Sequence, residues 1–201
     1  MLFPFLEKFD KKLFLQINKH WTNNFLDALM PWWRDQNTWV PLYLFLLVFM
    51  IVNSKHKTWM WLLFAIITIL ISDQLNSNLI KDFFHRLRPC NDPVMRYIEI
   101  LRIPSRPSSP SFPSSHAVNH FAIAVYFFRT LKKYIGKWAW LFIVWAASIC
   151  YAQVYVGVHY PFDVLGGAVL GSFIGFVTSF IYLKFFENKD VLFSHKINVP
   201  E

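Results

Sequence analysis

The chain has 201 residues and a formal net charge of +8, with 55% hydrophobic, 19% aromatic and only 16% charged residues. A soluble domain carries roughly 25% charged residues and could not bury 22 Phe and 9 Trp. One membrane domain is therefore expected, and disorder, a disulfide scaffold and a soluble nucleic-acid module are excluded.

Residues 1–38 interleave Lys8, Asp10, Lys11, Lys12 and Lys19 with Phe5, Phe9, Leu13, Phe14, Leu15 and Ile17, the pattern of amphipathic helix lying in the membrane interface. Charges stand where a cleavable signal needs its apolar stretch, so none is expected. A span near residues 13–33 is the alternative, burdened by Lys19, His20, Asn23, Asn24 and Asp27. Five apolar runs of helical length follow: Trp39–Asn53, Thr58 to Phe84 (purely apolar to Ile71, then amphipathic), His116–Phe128, Trp138–Tyr155 and Asp163–Leu183. The predicted fold is all-α, a polytopic bundle of five transmembrane helices over 39–185, with a short cytoplasmic tail at 186–201. Cys90 lies in a Pro-rich loop and Cys150 in an apolar run, so no disulfide framework is expected.

Nine Lys and Arg fall in the short connections at Ser54–Lys57 and Arg129–Lys137 and in the tail from Lys184. The positive-inside rule makes that side cytoplasmic. Residues 1–38, the 85–114 loop and the 156–162 turn then face outward, to the periplasm or the exterior of a bacterial cell membrane. Gly167, Gly171 and Gly175 repeat every fourth residue in the last span, which suits either packing inside the bundle or a dimer face. The sequence leaves the oligomeric state open.

Polar residues are expensive near a bilayer, so those at the outward span ends mark candidate chemistry. The second span ends in an apolar face opposite Asp73, Ser77, Lys81 and Asp82, and Lys81 and Arg88 lie seven residues apart, two helical turns. Pro89 turns Arg88 off the helix. Snorkelling cations on a solvated helix end would give the same pattern. Next, Ser111-Phe112-Pro113-Ser114-Ser115-His116 opens the third span. A helix N-terminus with added hydroxyls binds anions, although an ordinary serine cap reads alike. His120, one turn on, reads as a packed helix residue. Finally, Asp163 follows His159 by four residues and can hold one imidazole nitrogen, as in a triad. No H-E-x-x-H or clustered-cysteine spacing occurs, and Lys81 and Arg88 would repel a cation, so no metal is expected.

Together the clusters Lys81-x6-Arg88-Pro89, Pro113-Ser114-Ser115-His116 and Gln153-x5-His159-x3-Asp163 resemble the signature of the type 2 phosphatidic acid phosphatase (PAP2) superfamily: K-x6-R-P, P-S-G-H and S-R-x5-H-x3-D. The resemblance covers about residues 39–185 and implies an integral-membrane lipid phosphatase without cofactor or metal. It implies His159 as nucleophile forming a phosphohistidine, Asp163 as its orienting partner and His116 as acid and then base. Lys81, Arg88, Ser114 and the Ser115 amide would hold phosphate oxygens. The implied partners are the bilayer and a lipid phosphate, with undecaprenyl diphosphate ahead of phosphatidylglycerol phosphate, phosphatidic acid and lipid A phosphate; nucleic acid is not a partner. A non-catalytic lipid-phosphate binder and a small transporter are the rivals.

Two positions depart from the signature. Ser115 replaces its glycine, and Ala152-Gln153 replaces its Ser-Arg. A neutral hydrogen bond contributes roughly 0.5–1.5 kcal/mol against about 1.5–3 kcal/mol for one to a charged group. Gln153 is therefore expected to weaken one phosphate contact, with Arg86, Arg102 or Arg106 candidates to replace it. The 85–114 loop holds six of the eleven prolines and is expected to form a rim or lid over the site.

Overall fold

The computed structural model describes residues 4–54 and 58–187, all of them helix, turn or loop. Helix α1 (Pro4–Leu15) passes through a π turn at Gln16–His20 before α2 (Asn24–Trp33). Asn23 caps α2 by accepting the Leu26 N–H at 2.8 Å. At 12 and 10 residues, neither helix reaches the roughly 20 residues of a span, so the alternative span at 13–33 is not formed. The pair is amphipathic in use as well as in pattern. Phe5, Phe9 and Phe25 stay exposed, while Phe14 is fully buried edge-on to Tyr160 at 5.4 Å. The buried Asn18 amide donates to the carbonyls of Ile100 and Tyr155.

Helix α3 is Val40–Ser54. Helix α4 (Thr58–Leu75) continues through a π turn at Asn76–Ile80 into the short α5 (Lys81–Phe84), giving 27 residues of continuous helix. His85, with φ 44°, ends it in the left-handed region. Helices α6 (Ser115–Ile135), α7 (Trp140–Tyr155) and α8 (Pro161–Tyr182) complete the bundle. Gln36–Asn53, Thr58–Phe84 and Pro161–Phe186 are each long and apolar enough to cross a membrane, and the 41-residue apolar stretch Ser115–Tyr155 is divided between α6 and α7. These are four to five membrane-length apolar helices, in keeping with the expected bundle. Leu44 and Phe45 on α3 and Leu165, Val169 and Phe173 on α8 are exposed, the surface that hydrocarbon chains cover.

Helix α6 runs seven residues beyond the expected end at Phe128, because its basic residues find apolar partners. Arg129 donates to Ser179 Oγ at 2.8 Å and lies 4.3 Å over the Phe176 ring. Lys132 sits 5.4 Å over Phe128. Cations also suit a helix C-terminus. Gly136, with φ 57°, stops the helix and α7 returns beside it.

Helix α6 is the centre of the bundle and packs on α4, α7 and α8. The glycine stripe of α8 faces it. A methyl group at Gly171 would strike the Val118 carbonyl, one at Gly175 the Ala122 carbonyl, and one at Gly167 would lie 2.8 Å from the Ser114 carbonyl. The stripe therefore serves backbone-to-backbone packing within one chain. The end of α5, the start of α6, the end of α7 and the start of α8 all meet at one end of the bundle, opposite the Gly136 turn. The 85–114 loop is packed there rather than free. It is tied down by Arg102 N–H to the Val156 carbonyl at 3.0 Å and by Asn91 to the Pro107 carbonyl at 2.8 Å.

Candidate active site

Pro161 starts α8 with its φ already suited to the first turn. Asp163, in that turn, points back and accepts the Tyr160 N–H at 2.8 Å through Oδ2. This leaves His159 on the linker, 1% exposed, with its ring fixed from both sides. Arg88 Nη1 lies 3.0 Å from His159 Nε2. A guanidinium can only donate, so Nε2 carries the lone pair and Nδ1 the proton. Nδ1 is 3.4 Å from Ser111 Oγ and 3.7 Å from Asp163 Oδ2. Ser111 in turn donates to the same carboxylate oxygen at 2.5 Å. Burial, together with the Arg88 cation and against the pull of Asp163, pushes the His159 imidazole down to about 4, so the ring is neutral at physiological pH.

The carboxylate of Asp163 is fully buried and would be unstable without compensation. Arg86 supplies it, bonding Asp163 Oδ1 at 2.7 Å with one Nη and Asp10 Oδ2 at 2.6 Å with the other, above the Tyr160 ring. Asp10, also fully buried, accepts the Phe162 N–H at 2.9 Å. The first helix of the chain is thereby attached to the start of the last one, behind His159.

The cations named by spacing converge here. Arg88 is buried, held at the Ser109 carbonyl and hydroxyl at 2.8 and 2.9 Å. Lys81 is 6% exposed; its ammonium makes no hydrogen bond to a described residue, and it lies within reach of the charges on Arg88 and Asp163. Ser114 caps α6: its backbone N–H donates to the Asp163 carbonyl at 3.0 Å and its Oγ accepts from Ala117 N–H. Ser115 turns its hydroxyl to Asn76, from which it accepts at 2.8 Å. As in any helix, the N–H groups of Ser115 and His116 have no intrahelical acceptor. His116 points to the cleft, its ring stacked 6.0 Å from that of His120. His120 packs as expected, donating from Nδ1 to the His116 carbonyl and lying edge-on to Trp145.

Gln153 is fully buried, and none of the three loop arginines bonds to it. Arg86 serves Asp163 and Asp10. Arg102 serves Asp27 and the carbonyls of Asn18 and Tyr155. Arg106 is exposed and makes no ion pair with a described residue; its charge reaches Glu99, whose carboxyl burial pushes up to about 7. Instead Arg34, just past α2, donates from Nε to Gln153 Oε1 at 3.1 Å. No sequence spacing connects residues 119 positions apart, and Arg34 read only as an interfacial cation. Ser111 stands in the second cluster, whose pattern gives it no role of its own. Its position three residues before the serine cap was the one available signal.

From His116 a cavity of about 630 Å³ extends between α3, α4 and α6. Ser115, His116 and Asp73 stand at its polar end, and Tyr43, Leu47, Ala65 and Ile66 are among its apolar walls. Among the described residues no group of three or more His, Cys, Asp or Glu forms a metal-ligand set.

The chain is similar to known proteins over most of its length. The chain is 32% identical to a lipid A 4′-phosphatase of Bacteroides thetaiotaomicron over 90% of its length and 80% of the relative's. It is 30% identical to an undecaprenyl-diphosphatase of Sulfolobus acidocaldarius, covering 85% of this chain and 77% of that one. The fold matches the crystal structure of a transmembrane PAP2-type phosphatidylglycerolphosphate phosphatase from Bacillus subtilis with a TM-score of 0.68, at 21% identity, over 91% of this chain and 89% of that one. The PAP2 superfamily model matches residues 58–187, the stretch that carries all three clusters, and the chain belongs to that superfamily of membrane lipid phosphatases.

Proposed function

We propose that the protein removes phosphate from a membrane lipid by way of a phosphohistidine on His159. The observation that carries this reading is the state of that ring: Nε2 unprotonated beside Arg88, Nδ1 facing the Ser111–Asp163 pair. Arg88 turns from Nε2 to a phosphate oxygen as substrate enters. Nε2 then attacks phosphorus in line, the bond to the lipid oxygen breaks, and His116 gives that oxygen its proton. Asp163 stabilises the positive charge that develops on the His159 ring. In the second half, His116 takes a proton from water, the hydroxide attacks phosphorus, and the P–N bond breaks to release phosphate. Phosphoryl transfer needs positioning and stabilisation of the equatorial oxygens above all. Lys81, Arg88, the Gln153 amide, the Ser114 hydroxyl and the first amides of α6 at Ser115 and His116 supply both.

The cavity beside His116 accommodates a hydrocarbon tail while the headgroup stays at the bundle end. That end faces outward on the positive-inside reading, since the Arg129–Lys137 turn lies at the other end. The names of the relatives support testing a lipid A phosphate and undecaprenyl diphosphate first, ahead of phosphatidylglycerol phosphate and phosphatidic acid. The test is phosphate release from these lipids by the purified protein in EDTA, with acid-labile label trapped on the chain from a radiolabelled headgroup. Release that persists in His159→Ala would overturn the reading.

A further inference from the structure

The geometry points to Arg34 as the guanidinium that takes the place of the missing third-cluster arginine, delivered from the N-terminal region and aimed by Gln153. This inference rests on the reading of His159 and its neighbours as the phosphate site.

The arginines of this region differ in what they bind. Arg86 is neutralised by two carboxylates and Arg102 by one. Arg34 pairs with no described carboxylate within ion-pair distance; its side-chain hydrogen bond goes to the neutral Gln153 amide. It is also near enough to Arg88 for the two cations to oppose each other, and near enough to His116 for its charge to act on that ring. Two guanidinium groups held against their mutual repulsion, neither paired with a described carboxylate within ion-pair distance, form a place for an anion of more than one negative charge.

The chain leading to Arg34 is anchored. Trp33 Nε1 donates to Ser148 Oγ on α7 at 2.8 Å, and Trp39 Nε1 donates back to the Trp33 carbonyl at 3.0 Å. The Trp33 and Trp39 rings meet edge-on at 4.6 Å, and Trp39 meets Trp145 likewise at 5.4 Å. Arg34 therefore leaves a fixed point on the same helix that bears Gln153. Since Gln153 Oε1 accepts from Arg34, its Nε2 is directed away, buried and without a partner among the described residues. An unpaired buried donor costs free energy, and a phosphate oxygen beside Arg34 would satisfy it. Arg34 is thus a phosphate ligand and Gln153 both its positioning residue and a second donor.

The test uses the full-length protein in micelles, with a lipid phosphate as substrate and inorganic phosphate as competing inhibitor. Arg34→Gln is expected to lower kcat/KM about 10- to 100-fold and to raise the half-inhibiting phosphate concentration by about tenfold. A purely structural role would leave phosphate inhibition unmoved. The double variant Arg34→Gln, Gln153→Arg returns a guanidinium to the site from the other end of the same hydrogen bond, and is expected to recover most of both losses. If Arg34→Gln does not remain monodisperse, Arg34→Lys carries the test, because it keeps the charge but loses the Gln153 bond and the bidentate fork. Unchanged phosphate inhibition in the folded variant would overturn the assignment of Arg34. Turnover surviving in His159→Ala would instead overturn the site itself, so the two failures are distinguishable.

Discussion

The α6–α8 seam and the α3–α4 side of the bundle are built on opposite plans. Along the seam, Gly167, Gly171 and Gly175 bring one backbone against the other with no room for a methyl group. On the other side, α3 and α4 leave a cavity of about 630 Å³ against α6. The seam carries Ser114, His116 and Asp163, whose mutual placement tolerates errors well below an ångström if in-line transfer is to work. The open side is lined mostly by apolar side chains such as Leu47, Ala65 and Ile66. In the proposed function one face of α6 is held for chemistry while the other receives the lipid, with His116 where the two meet.

The largest effect expected from breaking this arrangement is at the two histidines. His159→Ala removes the nucleophile and His116→Ala the proton donor, and each should lower kcat by at least about 10³-fold in a phosphate-release assay. A loss under tenfold for His116→Ala would detach it from the chemistry and leave it as a cavity wall. Gly171→Val comes next. Its side chain would strike the Val118 backbone, so α6 and α8 must part, at a cost of about 2 kcal/mol or more. The apparent Tm in micelles should fall by several degrees and activity should fall with it. An unchanged Tm would mean that the seam is looser than its glycines indicate.

How much of this was legible in the sequence follows the same division. The spans could be read because apolar runs of helical length have one use in a chain this hydrophobic. Lys81, Arg88, His116, His159 and Asp163 could be read because polar residues at span ends stand out against their surroundings. What could not be read depends on contacts far apart in the chain. Asp10 looked like one charge of an amphipathic helix, yet it is fully buried against Arg86 and α8. Arg86 looked free to serve the phosphate, yet Asp163 needs it for neutralisation. The length of α6 was underestimated because Arg129 and Lys132 count as polar in hydropathy, although both lie against aromatic rings. Ala152-Gln153 was read as a loss, since its partner Arg34 is 119 residues away.

The open side gives a smaller, more selective prediction. Ala65 lines the cavity from α4, and Ala65→Phe places a ring in that space instead of against a backbone. Stability should be nearly unchanged, in contrast to Gly171→Val. The ratio of kcat/KM for a long-chain lipid phosphate to that for a short-chain one should fall by about tenfold, as expected from roughly 1–3 kcal/mol for excluding apolar contacts. An equal loss for both substrates would place the tail elsewhere.

The smallest effect expected is at Ser111, and it tests how the rigid side tunes its nucleophile. Ser111 donates to Asp163 Oδ2 at 2.5 Å and its oxygen lies 3.4 Å from His159 Nδ1. That bond shares the carboxylate's negative charge and keeps it from drawing the Nδ1 proton fully. Without the hydroxyl, Asp163 stabilises the imidazolium more strongly, so the His159 ionisation moves upward from about 4. For a histidine the sign is definite. A raised value enlarges the protonated, non-nucleophilic fraction at any pH between the old and new midpoints. Ser111→Ala should therefore shift the acid limb of kcat/KM to higher pH and lower the plateau rate by only about three- to tenfold, in keeping with the loss of one hydrogen bond. Histidine-selective NMR of the labelled protein should show the same upward shift for the His159 ring alone. An acid limb that stays in place would mean that Asp163, Arg86 and burial set the nucleophile's state without Ser111.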